Sequence, residues 1–290
     1  MAERVVSGID AVLLSPTFFD AGEAASVADD TPTLTVASAV TGGTLSAPMA
    51  TSVGSGVYSA TLDADTHLST VDRLTVTWAG EVDSLERNLS QTVDVAGGFY
   101  ESILGLRSIS TLSDASGQPT ARLRRFRSQI EDIIEEARGT AYVPRVAVDT
   151  FHLPSGATHV RLSKLHPSAI LAVRYGATAQ TVGDYELDYD TRRFCPSSGV
   201  FPVDTVLTVV YQHGYTTPPD LAVEACREYV RAKCHVDASN VNRNPSSVTN
   251  IATGETYRWS TADPRYGRWT GIEEVDARIN MLPDERVVIG

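Results

Sequence analysis

From residue 9 to residue 95 the chain reads as short runs that alternate apolar and polar residues, separated by turn residues at fairly regular intervals, and no helix-period stretch of useful length occurs before residue 100. Period-two patterns describe strands that bury one face. Residues 33–40 place Leu34 and Val36 on one face, and residues 56–62 form a β-rich run after a Gly-Ser-Gly turn. Residues 71–79 place Leu74, Val76 and Trp78 on one face, with Arg73, Thr75 and Thr77 opposite. Residues 89–95 close the unit. Strands with a single apolar face are stable only when two sheets stack, so the expectation is a β-sandwich. Ala96, Gly97 and Gly98 supply a flexible joint.

After the joint the period changes. A short helix is expected over 101–112, and a break follows at Asp114 to Pro119. Leu123, Phe126, Ile130, Ile133, Ile134 and Ala137 then form a 3.6-residue stripe that predicts a helix over 120–138, with Gly139 as its C-cap. Residues 151–215 return to period two, with expected strands at 159–162, 169–175, 185–189 and 205–211. The last is nearly all apolar and is therefore central. Pro218 and Pro219 precede a helix over 220–236 with Leu221, Ala225, Tyr229 and Ala232 inward. Residues 237–268 are polar and turn-rich, and read as irregular. A last helix follows Gly271, with apolar spacing Ile272, Val275, Ile279 and Leu282, and then an extended apolar tail, Val287, Val288 and Ile289. The fold class is thus α+β and multidomain. The expected domains are a sandwich over 1–97, a helical domain with a β-rich insertion over 98–270, and a helix with a tail over 271–290.

Charge sharpens this division. The 290 residues carry −12 overall. Residues 1–98 hold 13 acids against 3 bases, and residues 99–290 hold 23 against 21. A −10 unit beside a nearly neutral one argues for different surroundings, and against nucleic-acid binding of the basic-patch kind. No apolar run approaches the ~18 residues of a membrane span, and residues 1–10 do not read as a signal peptide.

The chemistry-bearing residues do not assemble into an enzyme motif. Gly-x-Ser-x-Gly, the phosphate-binding Gly-x-x-x-x-Gly-Lys-Ser/Thr and a dinucleotide fingerprint do not occur. None of the six histidines sits at zinc spacing with another histidine or a cysteine. Cys226 and Cys234 are eight residues apart on one predicted helix, roughly 12 Å along its axis, too far to bridge. No catalytic residue, cofactor site or metal site is expected. Asp184, Glu186, Asp188 and Asp190 alternate and are expected on one strand face, which reads as a solvated strand, a charged lining or subunit contact, or a hard-cation site. Arg122, Arg124, Arg125 and Arg127 crowd the early half of helix 120–138, and Glu131, Asp132, Glu135 and Glu136 its later half. That order opposes the helix dipole. It reads as a solvated face with salt bridges, a contact with a neighbouring subunit, or a phosphate contact.

Three stretches carry a likeness. They are Ile130 to Arg145 (IEDIIEEARGTAYVPR), Val160 to Pro167 (VRLSKLHP) with the later Val209 to Tyr215 (VVYQHGY), Pro218 and Pro219, and Thr270 to Asn280 (TGIEEVDARIN). In this order and spacing, residues 100–282 resemble the head-to-tail adaptor proteins of tailed double-stranded-DNA bacteriophages, in the version seen among phages of actinobacteria. The first 95 residues are not part of the usual adaptor and look like an appended immunoglobulin-like sandwich. The resemblance implies a virion structural protein at the portal vertex, made in the host cytoplasm. It would form a ring, usually of twelve copies, between the portal protein and the next connector, stopper or tail-terminator protein, with genomic DNA passing through the lumen unbound. Ile272, Val275, Ile279, Leu282, Val287, Val288 and Ile289 become candidate portal-docking residues. The charged positions of helix 120–138 become candidate inter-subunit contacts, and the carboxylates of 184–190 a candidate channel lining. The alternative is a virion-displayed module that binds carbohydrate or a host surface through the sandwich.

Overall fold

The computed structural model describes residues 3–19, 30–153, 157–238, 247–249, 256–258 and 262–284. These form a mixed α+β protein with several sheets and four α-helices among the described residues. The chain divides into two compact units, each built from two segments: Met1–Gly98 with Pro144–Gly214, and Phe99–Val143 with Tyr215–Gly290.

In the first unit, β1 (Glu3–Val6), β8 (Leu85–Ala96), β7 (Asp72–Val82), β3 (Thr33–Ser38) and β4 (Thr44–Leu45) form one sheet in that order. β2 (Ala11–Leu14), β6 (Val57–Leu62) and β5 (Thr51–Gly54) form a second. Both sheets feed one core: Leu13, Tyr58 and Leu62 from the smaller, and Leu34, Val36, Leu74, Val76, Trp78, Val93 and Val95 from the larger. The alternation on β7 is therefore the folding instruction, with Leu74, Val76 and Trp78 fully buried. β7 and β8 are joined through Asp83 and Ser84, both at positive φ (53° and 59°), with Val82 opposite Leu85. Two such residues match the right-handed twist of the hairpin they connect.

The β-rich insertion carries two more sheets. β12 (Thr178–Gln180), β11 (Pro167–Tyr175), β15 (Val206–His213) and β9 (Arg145–His152) lie in that order, so β15 is central, as its apolar run demands. β10 (Val160–Arg161), β14 (Arg193–Pro196) and β13 (Tyr185–Asp188) form a three-stranded sheet whose inner side chains stack: Tyr185 lies 5.1 Å from Phe194 and 6.4 Å from Phe201, between ring centroids. Residues 144–214 group with the sandwich rather than with the helices that flank them in sequence. Two contacts give the reason. The Gly97 amide donates to the Pro144 carbonyl at 3.0 Å, and Arg174 on β11 donates through one nitrogen to the carbonyls of Ala39 (2.8 Å) and Val40 (2.6 Å). Gly42 makes room for that guanidinium, because a Cβ there would lie 2.6 Å from Arg174 Nε.

The second unit is helical. α1 (Ile103–Arg107) is shorter than the helix expected over 101–112, because Ile109 is extended and only one further turn, Ser110–Leu112, follows. α2 (Thr120–Arg138) begins after Pro119 and ends at Gly139, whose φ of 73° is the left-handed C-cap conformation. α2, α3 (Asp220–Ala238) and α4 (Glu273–Met281) share one core that includes Leu123, Ile130, Ile134, Ala225, Cys226, Tyr229 and Ile279. The span expected to be irregular over 237–268 includes a ribbon, β16 (Ser247–Thr249) paired antiparallel with β17 (Thr256–Arg258).

Candidate assembly surfaces

α2 carries the densest set of expected contact residues, and the structure sorts them by burial. Leu123, Phe126, Ile130 and Ile134 point into the core, and the helix turns Arg127 and Glu131 inward with them. Both of these charges, expected as inter-subunit contacts, are buried inside their own unit. Glu131 accepts the Tyr100 amide at 2.8 Å. Arg127 lies over the Phe99 ring, 3.2 Å from its centroid, and donates to the Glu101 carbonyl at 3.3 Å. Glu101 in turn pairs with Arg227 of α3. Each buried charge thus has a partner, as burial requires. The charge order on α2 that opposes its dipole is partly explained, since Arg127 and Glu131 serve internal pairs. Burial first, and the Glu131 charge next, push the Cys226 thiol well above its ordinary range against the pull of Arg127. Both helix cysteines are buried and unbridged.

The remaining α2 charges divide again. Arg124, Arg125 and Glu136 are exposed, while Arg122, Asp132 and Glu135 are half-buried. Arg125 rests over the Phe126 ring at 4.8 Å, and Glu135 accepts from the Tyr100 hydroxyl at 3.4 Å. On α1 of the same unit, Leu104 is 82% exposed although Leu106, two residues on, is fully buried. Sequence periodicity does not separate these two leucines, because a helix of five residues is too short to show a stripe.

Ile272, Val275, Ile279 and Leu282 belong to the core of the second unit and do not form an outward docking stripe. The same apolar spacing serves either purpose, and α2 and α3 supply the surface that takes it. The start of α4 is fixed by Asp276, whose carboxylate accepts from the Thr270 amide (2.8 Å), the Thr270 hydroxyl (2.8 Å) and the Gly271 amide (3.1 Å). Burial raises the Asp276 pKa against the pull of these hydrogen bonds. At the other end, Arg138 of α2 donates to Asn280 at 3.2 Å and pairs with Asp284 at 3.8 Å. Val287, Val288 and Ile289 lie outside the described residues.

The four carboxylates of 184–190 do not share one strand face. The strand runs only over Tyr185–Asp188; Asp184 belongs to a preceding turn of 3-10 helix and Asp190 to the turn that follows. Asp188 ends the strand, because its Oδ1 accepts the amides of Asp190 (3.0 Å) and Thr191 (3.1 Å). The Thr191 contacts hold its carboxyl below the usual range. Glu186 and Asp188 are exposed on a face that also carries Arg193, the register partner of both Asp188 and Arg161. That face is mixed in charge, not acidic.

One buried titratable group in the first unit escapes sequence reading. His213 ends β15, and its Nδ1 has no hydrogen-bond partner among the described residues. Burial, with Lys164, Arg145 and Arg73 nearby, pushes its pKa down to about 3. Beside it on β15, the Tyr211 hydroxyl donates to Asp149 (2.9 Å) and accepts from the Lys164 amide (2.9 Å), pinning the loop before β11. Among the described residues no cluster of three or more His, Cys, Asp or Glu could hold a metal ion, and no helix is long and apolar enough to cross a membrane.

No family model matches the chain, and no curated protein matches it. Among the solved structures similar to it are three from gene transfer agent particles. One is described as the neck of an empty GTA particle computed with C6 symmetry, at 14% identity, with 66% of this chain and 93% of that chain covered and a TM-score of 0.44. The second is the virion of a native gene transfer agent (GTA) particle, at 13% identity, with 66% and 93% covered and a TM-score of 0.42. The third is the neck of a native GTA particle computed with C12 symmetry, at 13% identity, with 67% and 97% covered and a TM-score of 0.39. Similarities this loose do not assign an activity.

Proposed function

We propose that this chain is a structural protein of the neck of a tailed-phage-like virion, a ring subunit that joins the portal to the next connector and has no enzymatic role. One observation carries the reading. α2 and α3 pack into one core with α4, although the β-rich residues 144–214 separate α2 from α3 in the chain. Helix, β-rich insertion, helix and final helix is the order on which the resemblance to head-to-tail adaptors rests. A ring needs heterologous contacts that close by rotation. The exposed Arg124, Arg125 and Glu136, with the half-buried Arg122, Asp132 and Glu135, are the α2 positions that remain for such contacts. Leu104 adds an exposed apolar residue. The twelve-copy ring, the portal and stopper or tail-terminator partners, and DNA passing through the lumen belong to this proposal.

The sandwich fits an immunoglobulin-like reading. Its larger sheet β8-β7-β3-β4 and smaller sheet β2-β6-β5 follow the strand order of that fold, with β1 added in parallel beside β8. Residues 1–98 contain no cysteine, so the inter-sheet disulfide of antibody domains has no counterpart here.

Microscopy of the purified full chain, with and without the portal protein of the same particle, tests the proposal. Rings of closed symmetry on the portal are the expected result, together with the chain in purified particles. A chain that stays solitary with the portal and is absent from particles overturns it.

A further inference from the structure

We infer that the arginine half of α2 docks on the β7–β8 hairpin tip of a second copy of this chain. The inference rests on the ring reading above and names the surface that the exposed α2 charges meet.

Each surface breaks a local rule in its own copy, and the two breaks have opposite sign. Residues 119–130 hold four arginines and no acid. α2 has no acidic residue in its first turn and no side-chain cap at Pro119, so these cations sit at the positive end of the helix dipole. Arg127 is buried in internal contacts, whereas Arg124 and Arg125 are exposed and Arg122 is half-buried. At the hairpin, residues 81–86 hold three acids and no base. Glu81 and Glu86 are register partners, directly opposite each other on the two strands. Like charges so placed destabilise the pairing they sit on. Asp83 adds a third carboxylate in the turn between them. All three residues are exposed, and none joins an ion pair among the described residues.

Spacing matches as well as charge. Arg122 and Arg125, three apart on a helix, have Cβ atoms about 5–6 Å apart. Directly opposed strand residues such as Glu81 and Glu86 have theirs about 4.5–5.5 Å apart. Two guanidiniums therefore meet two carboxylates side by side, with Arg124 next to them for Asp83. The planar fork of arginine suits paired carboxylates better than the point charge of lysine does. Leu85, half exposed between the acids, packs on the apolar stems of the arginines. Other acids of the first unit serve less well. Glu186 and Asp188 share a face with Arg193, Asp10 accepts the Ala64 amide at 2.6 Å, and Asp63 lies 3.7 Å from His67.

The partner is a second copy because this chain itself carries both complementary surfaces, each exposed. A contact that joins two different surfaces of one chain is heterologous, the kind that closes a ring by rotation.

Charge reversal in full chains, with the portal protein of the same particle present and rings read by native mass spectrometry, tests the inference. Arg124→Glu/Arg125→Glu chains carry acid on both surfaces, and Glu81→Arg/Glu86→Arg chains carry base on both. Each alone should lose rings. An equal mixture should recover them with the two chains alternating, because every junction then joins unlike charges, and that recovery excludes a folding defect. The milder Arg124→Gln/Arg125→Gln and Glu81→Gln/Glu86→Gln chains should each show a partial loss. The inference is overturned if either reversed chain assembles like the wild type, or if the mixture of reversed chains that keep wild-type hydrogen exchange stays without rings. Loss by the helix variant alone assigns the α2 face to another partner, DNA phosphates included. These results leave the neck reading standing as long as the wild type forms rings. A wild type that stays solitary with the portal removes both.

Discussion

Replacing Ile279 by alanine separates a core role for α4 from a docking role. Ile279 is fully buried beside α2 and α3, so the substitution removes its outer carbons from a closed core and leaves a cavity. Buried isoleucine-to-alanine changes cost about 2–5 kcal/mol, according to how far the site collapses. Helix packing around the site limits collapse, so a loss of about 3 kcal/mol is expected. At about 1.4 kcal/mol per tenfold, the slowest amides of α2, α3 and α4 then exchange roughly 150-fold faster. Peptide-resolved hydrogen exchange reads this in the full chain, and β7 and β15 in the first unit serve as internal references. Ile279→Val, at about 0.5–1.5 kcal/mol, gives a smaller effect of the same pattern. If Ile279→Ala leaves exchange in the second unit unchanged and weakens portal binding instead, the core role of α4 is refuted and the docking stripe is restored.

Three further outcomes are expected. His213 takes up a proton near pH 6.5 when unfolded but only at about 3 when folded, so its contribution to stability is whole above 6.5 and is lost as pH falls towards 3. The urea midpoint of the first unit should fall through that window, and His213→Phe should flatten the fall; an unchanged slope assigns it to other groups. Arg174→Ala removes two charge-assisted hydrogen bonds from a half-buried site, a loss of roughly 1–3 kcal/mol, and should speed exchange in β11 and in residues 39–43 together. A response confined to one of them means that the insertion and the sandwich do not stabilise each other. Arg124→Glu with Arg125→Glu should change stability by only about 0.5 kcal/mol yet reduce ring formation, measured by native mass spectrometry. Full assembly of this variant would remove that face of α2 from the contact.

Periodicity made much of the secondary structure readable. The strand faces of β7, the central place of β15 and the extent of α2 follow from spacing alone, because a strand or helix must bury its apolar side wherever it lies. Spacing does not say what covers that side. Ile272, Val275, Ile279 and Leu282 form the same stripe whether they meet α2 and α3 or another protein, and only tertiary packing chose the former. Charge was ambiguous for the same reason: Arg127 and Glu131 look like surface residues until Phe99, Glu101 and Tyr100 close over them. The length of β13 depended on an Asp188 turn whose amide partners lie beyond the alternating pattern. The union of residues 144–214 with the sandwich rests on long-range bonds such as Arg174 to Ala39, across more than a hundred residues of chain. Local pattern decides which face of an element is apolar, and the partner that buries it is decided by the whole chain folding at once.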